Sequence, residues 1–170
     1  MELSYREWWA LIHGMVLGGL FLLAFAGGLA ELHSLRSTTG TRFVLRTTAR
    51  RIGIGTTSMA VIAWLTVITG TWVVYPWYRD PAEDSPRSTL LADPATDAWH
   101  TFGMEWKEHI AWLSPILATV VAFIVLYYGP ALAQNNRLRR TAMVMFMLSF
   151  GFAAVAGAFG ALITKVAPVH

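Results

Sequence analysis

The stretch IAWLSPILATVVAFIVLYYGPALA, Ile110 to Ala133, decides the fold because it holds 24 consecutive residues without a charged side chain. An α-helix rises about 1.5 Å per residue, so about 20 residues cross the roughly 30 Å hydrocarbon core of a bilayer. Pro115 and Pro130 do not exclude a helix here, since prolines are tolerated in membrane helices. The stretch therefore predicts a membrane-spanning helix.

Three more apolar runs of similar length occupy much of the remaining chain: Trp8 to Ala30, Ile52 to Tyr75 and Thr141 to Val166. Each run is continuous rather than alternating, which favours helices over the strands of a barrel. Charged residues make up 14% of the chain, against roughly 25% in ordinary soluble proteins. The sequence thus predicts an all-α integral membrane four-helix bundle that forms a single domain over residues 1–170.

The segments between the predicted spans differ in charge. Residues 31–51 and 134–140 contain eight of the thirteen basic residues, whereas nine of the ten acidic residues fall in the N-terminal segment and the connection 76–109. Basic loops stay on the cytoplasmic side of a membrane. We therefore expect both termini to be extracytoplasmic, in the cytoplasmic membrane of a bacterium. The formal charge of +3 reflects this topology rather than nucleic-acid binding.

The connection contains DPAEDSPRSTLLADPATDAWHTF, Asp80 to Phe102. It is too short and too rich in proline to form a second domain. From Ala95 onward the pattern becomes compatible with a helix. This part is expected to lie on the membrane surface or to extend the third helix outward.

His13 lies about five residues inside the first apolar run. Ionisable residues within a membrane are costly and are therefore functional candidates. Glu31 follows eighteen residues later and falls on the same helix face, because an α-helix turns about 100° per residue. The structural alternative is a histidine that is hydrogen-bonded within the bundle.

His109 begins the third apolar run on the same side as His13. If the first and third helices adjoin or lie diagonally, the two imidazoles can approach a flat ring from opposite sides, as in bis-histidine haem b. His100 is the reserve ligand, nine residues before His109 and on the opposite face of a continuous helix. The chain has no cysteine, which excludes thioether-attached haem. The structural alternative for His109 is an interfacial histidine that faces lipid headgroups.

Glu105, Glu108 and His109 also offer the oxygen and nitrogen ligands of a zinc, manganese or di-iron site. Their spacing differs from the Glu-x-x-His pair that places both ligands on one helix face. A metal site is therefore a weaker prediction than haem. The simplest explanation of these charges is a solvated helix end at the membrane border.

Small residues accompany the histidines. Gly27 and Gly28 in the first run, and Gly151 and Gly157 in the fourth, let a neighbouring backbone or a flat ligand come close. Four hydrophobic helices with histidines near one face and glycine-rich packing surfaces resemble the small membrane-anchored b-type cytochromes that serve as quinone-reacting subunits of respiratory complexes. The four-histidine pattern that holds two haems in such subunits is absent here.

The resemblance implies one haem b near the outer face, held by His13 and His109. It also implies transfer of electrons between a membrane quinone and an extracytoplasmic redox partner. Membrane lipid and a protein partner in a membrane complex are the expected contacts. The alternative is a cofactor-free structural or assembly subunit. A third possibility is a proton or solute carrier that uses His13 and Glu31 on their shared face.

Overall fold

The fold was obtained as a computed structural model, which describes residues 2–35 and 42–168. The described residues are helical or in turns and contain no strand. Four helices are long and apolar enough to cross a membrane, and we call them spans 1 to 4: Tyr5–Ser34, Val44–Tyr78, Trp99–Ala133 and Asn136–Val166. The all-helical class is thereby confirmed, and four candidate membrane-spanning helices cover the predicted spans, while the orientation across the membrane stays a prediction.

Every span is longer than its apolar run. Span 1 begins at Tyr5 because Ser4 caps it: the Ser4 hydroxyl accepts a hydrogen bond from the Glu7 amide, and the Glu7 carboxylate accepts one from the Ser4 amide. Such a reciprocal cap satisfies two amides that a helix start leaves unpaired. Span 3 begins at Trp99 rather than Ile110. Of the two alternatives for this segment, continuation of the third helix toward its N-terminal side is the one observed.

Three spans contain a short π-helical stretch near the same end of the bundle. In span 1, the π-helix Ile12–Val16 lies between α1 Tyr5–Leu11 and α2 Leu17–Ser34, and in span 2 the π-helix Gly70–Val74 lies between α3 Arg42–Thr69 and α4 Tyr75–Tyr78. In span 3, the π-helix Trp99–Met104 is followed by α6 Glu105–Ile110, α7 Leu113–Tyr128 and a 3₁₀ turn Gly129–Ala133. The remaining helices are α5 Pro86–Ala92 in the connection and α8 Asn136–Val166 in span 4. π-Helical turns are rare in proteins, and those that occur often lie at functional sites.

The spans pack in cyclic order. Span 1 packs against span 2, span 2 against span 3, and span 3 against span 4, which returns to span 1. Spans 1 and 3 are therefore diagonal partners. The main core lies between α2, α3, α7 and α8, and its members include Leu32, Ile52, Met59, Val121 and Phe146.

Only part of the predicted glycine surface makes close contact. A Cβ added to Gly28 would lie 2.9 Å from the Phe146 ring, and one added to Gly55 would lie 3.5 Å from the Gly28 Cα. Spans 1 and 2 thus meet backbone to backbone. Gly27 and Gly157, by contrast, have open space where a side chain would be.

The two ends of the bundle differ in charge. We call one the acidic end: it carries the N-terminal residues 2–7, the connection 79–98 and the start of span 3. A second, smaller core closes it, in which Ile163 and Ala167 of the C-terminal segment meet Tyr78, Leu90 and Met104. The opposite, arginine-rich end carries Arg46, Arg50, Arg51, Arg137 and Arg140.

Candidate functional site at the acidic end

Arg79 joins the end of span 2 to the start of span 3. Its guanidinium lies 2.8 Å from Glu105 Oε1 and 3.4 Å from Glu108 Oε2, and it covers the Tyr75 ring at 5.0 Å. Burial disfavours the charged guanidinium, but the carboxylates of Glu108 and Glu105 outweigh it and raise the pKa of Arg79. This arginine is therefore a permanent cation between two carboxylates.

Glu108 is held by one oxygen only. The Tyr75 hydroxyl donates a hydrogen bond of 2.7 Å to Glu108 Oε2. Glu108 Oε1 is buried, and no hydrogen-bond partner for it occurs within the described part of the chain. A buried acceptor without a donor is uncommon in proteins. The acceptor capacity of this oxygen is therefore unused by the described residues.

His100 has a protein partner at both ring nitrogens. Its Nδ1 lies 2.8 Å from the Tyr78 hydroxyl oxygen, and Arg87 Nε donates to its Nε2 at 3.4 Å. Because arginine can only donate, Nε2 accepts and Nδ1 carries the proton. His100 is 6% exposed. In this arrangement it anchors α5 of the connection to spans 2 and 3.

His13 is oriented by span 2. Its Nδ1 lies 2.9 Å from Thr69 Oγ1, and the Thr69 hydroxyl donates its own proton to the Leu65 carbonyl at 2.8 Å. Thr69 therefore accepts from His13, which places the imidazole proton on Nδ1. The Nε2 lone pair is left without a partner in the described residues. Metal-binding histidines are commonly oriented in this way through their other nitrogen.

Gly70 makes room for the His13 ring. A Cβ at Gly70 would lie 3.0 Å from His13 Cε1 and 3.5 Å from Nε2. Both residues belong to π-helical stretches, Ile12–Val16 and Gly70–Val74. The widened turns of spans 1 and 2 therefore meet where the imidazole lies.

Lys107 crosses the interior from span 3. A Cβ at Gly160 would lie 2.9 Å from the Lys107 Nζ, so the ammonium packs on the backbone of span 4. Its charge is also within electrostatic range of His13. No ion pair of Lys107 occurs in the parts of the chain that the structure covers. A half-buried lysine thus lies between spans 3 and 4.

His109 lies on the other side of its helix. It is exposed, and its Nδ1 donates to the Glu105 carbonyl at 2.7 Å, which leaves Nε2 free. Two positions separate it from Lys107, a rotation of about 200°. Because Lys107 reaches the backbone of span 4, His109 points away from that span. Among the described residues His13 bonds to Thr69 and His109 to the Glu105 carbonyl, and their pairing across a haem stays a prediction.

The alternative metal site has no geometric support. Among residues 2–35 and 42–168, no group of three histidine or carboxylate side chains is arranged to hold a metal ion. Glu105 and Glu108 are instead directed toward Arg79. These carboxylates belong to a hydrogen-bond network within the chain that links spans 2 and 3.

Several residues of the acidic end were not anticipated as site residues from the sequence. The sequence does place Tyr75, Tyr78 and Arg79 on one helix face, since they are separated by three and four positions, but it does not indicate their partners. Their partners lie 22 to 33 positions away in span 3. Thr69 carried no signal, because a threonine in an apolar run is ordinarily bonded to its own helix.

No protein-family model matches the chain, and neither a curated protein nor a solved structure gives a match. An assignment of function therefore depends on the chemistry of the acidic end.

Proposed function

We propose that this chain is an integral membrane subunit of a redox complex, which binds one haem b at the acidic end and passes electrons between a membrane quinone and a partner protein. The observation that carries the proposal is His13. Its imidazole is half-buried in a membrane span and is fixed through Nδ1 by Thr69, and its Nε2 has no described partner. A histidine in this state is ready to bind iron.

The residues present would supply one histidine ligand to haem b, His13, more readily than a pair. His109 has a free Nε2, but it can face His13 only if α6 turns about its axis and Lys107 withdraws. His100 would first have to release Tyr78 and Arg87. When bound, haem b supplies a one-electron centre whose potential depends on its ligands and surroundings.

The remaining parts of the proposal follow from charge. Arginine-rich loops favour the cytoplasmic side, which makes the acidic end extracytoplasmic in a bacterial cytoplasmic membrane. The connection presents the exposed carboxylates of Glu83, Asp84 and Asp93 on that end. A basic redox partner would be attracted to such a surface. Glu108 Oε1, which has no partner among the described residues, would accept a hydrogen bond from a quinol hydroxyl.

The test is a reduced-minus-oxidised absorbance spectrum of the detergent-purified chain, with haem quantified per polypeptide. We expect a b-type spectrum that disappears in His13→Ala. His33→Ala is the matched control, because His33 is exposed near the other end of span 1 and should leave the spectrum unchanged. A further variant, His109→Ala, reports whether this residue supplies the second ligand. Wild-type spectra in His13→Ala would remove the assignment.

The second candidate is a cofactor-free structural subunit. It is favoured by the bonds that hold the connection onto the bundle, namely Arg79 to Glu105, Tyr78 to His100 and Arg87 to His100. These contacts suit a rigid docking platform. A colourless protein, purified after expression with haem supplied, would support the structural subunit and exclude the cytochrome.

A further inference from the structure

A groove runs along the surface of spans 2 and 3 from the arginine-rich end. It encloses about 610 Å³, and its lining includes Arg50, Gly53, Ile54, Val61, Ile62 and Leu126. Apart from the arginine and two hydroxyl side chains deeper in the groove, the walls are apolar. The groove therefore has a cationic mouth and a hydrocarbon interior.

The length of the groove corresponds to one leaflet of a bilayer. Arg50, Ile54 and Val61 follow one another at helical spacings of four and seven, so they lie on one face of α3. Eleven residues separate the first from the last, and at 1.5 Å per residue this is about 16 Å. Half of a hydrocarbon core of about 30 Å is about 15 Å.

The side walls are formed by exposed apolar side chains, and the floor by a glycine. Ile54, Val61 and Leu126 are 58%, 52% and 63% exposed. Gly53 lies between them, and a Cβ there would come within 3.0 Å of Leu126 Cδ2. A larger residue at this position would fill the floor of the groove.

The cation at the mouth has no counter-charge in the protein. Arg50 is exposed and forms no ion pair with any described residue. Glu31 is the only acidic residue of the sequence near this end, and it already pairs with Arg51 at 2.7 Å. Arg50 is therefore free to pair with the negative charge of another molecule.

We propose that this groove binds one anionic phospholipid, with the headgroup phosphate on Arg50 and one acyl chain along Ile54 and Val61. A soluble phosphate would use only the mouth and would leave the apolar walls without a partner. An arginine beside an apolar face is also the arrangement by which membrane proteins recognise acidic lipids. The site is independent of the proposed haem site, which lies at the opposite end.

The test is native mass spectrometry of the full-length chain, released from detergent after incubation with equal amounts of phosphatidylglycerol and phosphatidylcholine. We expect one retained phosphatidylglycerol per chain and clearly less phosphatidylcholine. Arg50→Gln should lower phosphatidylglycerol retention about fivefold, the factor that corresponds to about 1 kcal/mol from one arginine at an anionic surface. The matched control is Arg46→Gln, one turn earlier on α3, which removes the same charge outside the groove.

A second arm separates the lipid from its headgroup. Dihexanoyl phosphatidylglycerol has the same headgroup but chains too short to fill the groove, so we expect it to bind weakly. Equal losses in Arg46→Gln and Arg50→Gln would overturn the proposal in favour of general electrostatic attraction. Displacement of the lipid by inorganic phosphate would identify a soluble anion instead. A dimer without bound lipid would show that a second copy covers the groove.

Discussion

The two halves of this bundle are held together by different interactions. Toward the arginine-rich end, aromatic rings and glycines interlock: Phe146 fills the space that Gly28 leaves, and Phe25 stacks on Phe150 with ring centroids 4.1 Å apart. We call this the apolar half. At the acidic end, polar side chains join different spans, as in the bonds of His13 to Thr69 and Tyr75 to Glu108.

The difference separates stability from chemistry. In lipid the hydrophobic effect does not favour contact between two helices, so close packing and interhelical hydrogen bonds hold the helices together. The apolar half supplies the packing but has few groups that can react. The acidic end supplies oriented donors, acceptors and charges. Changes in the apolar half should therefore affect unfolding most, and changes at the acidic end should affect it less while altering the site.

The largest effect is expected for Phe146→Ala in the apolar half. Phe146 is fully buried, and removing its ring leaves a cavity beside Gly28. We expect the free energy of unfolding, measured by detergent titration in mixed micelles, to fall by about 3 kcal/mol. Phe123→Ala is the control, because Phe123 is 64% exposed. Similar losses in both variants would mean that this packing does not hold the bundle together.

A smaller loss is expected for Tyr75→Phe at the acidic end. This change removes the hydroxyl that donates to Glu108 and leaves a partly buried carboxylate with one donor fewer. The expected cost is about 2 kcal/mol, in the range for hydrogen bonds to charged groups. Tyr127→Phe removes the same hydroxyl from a residue that is 72% exposed, and it should be neutral. A neutral Tyr75→Phe would show that Arg79 alone satisfies Glu108.

The same two halves show how far the sequence reaches. The four spans were predictable because a run of about 20 residues with almost no charged side chains is long enough to cross a bilayer, and such a run must be helical there. Their ends were not, since a helix continues through Glu105 and Glu108 once Arg79 compensates these charges. The His13 face was predictable from helix periodicity. The orientation of α6 was not predictable, because its rotation, which turns Lys107 toward span 4 and His109 away from that span, is set by packing.

A third comparison concerns Thr69→Val, which preserves shape and removes the acceptor for His13. The free energy of unfolding should fall by about 1 kcal/mol, the net value of one hydrogen bond. Thr66→Val is closely matched, since the Thr66 hydroxyl likewise donates to a carbonyl one turn earlier but no bond to His13 is present. The effect of interest is the difference between the two variants. No difference would mean that Thr69 does not orient the imidazole.

The smallest effect is expected at the arginine-rich end, where Glu31 and Arg51 form an ion pair of 2.7 Å whose arginine is 70% exposed. Exposed pairs contribute little because water and salt screen them, so Glu31→Gln should lower the free energy of unfolding by about 0.5 kcal/mol, and by less at high salt.

The same variant tests the proton-carrier alternative in liposomes. Glu31 pairs with Arg51 in this structure, whereas His13, 18 positions earlier in the same span, bonds to Thr69 of span 2. We therefore expect proton flux in Glu31→Gln to equal that of the unmodified chain. A flux that Glu31→Gln abolishes would instead make this pair part of a conduction path and the two halves of the bundle functionally continuous.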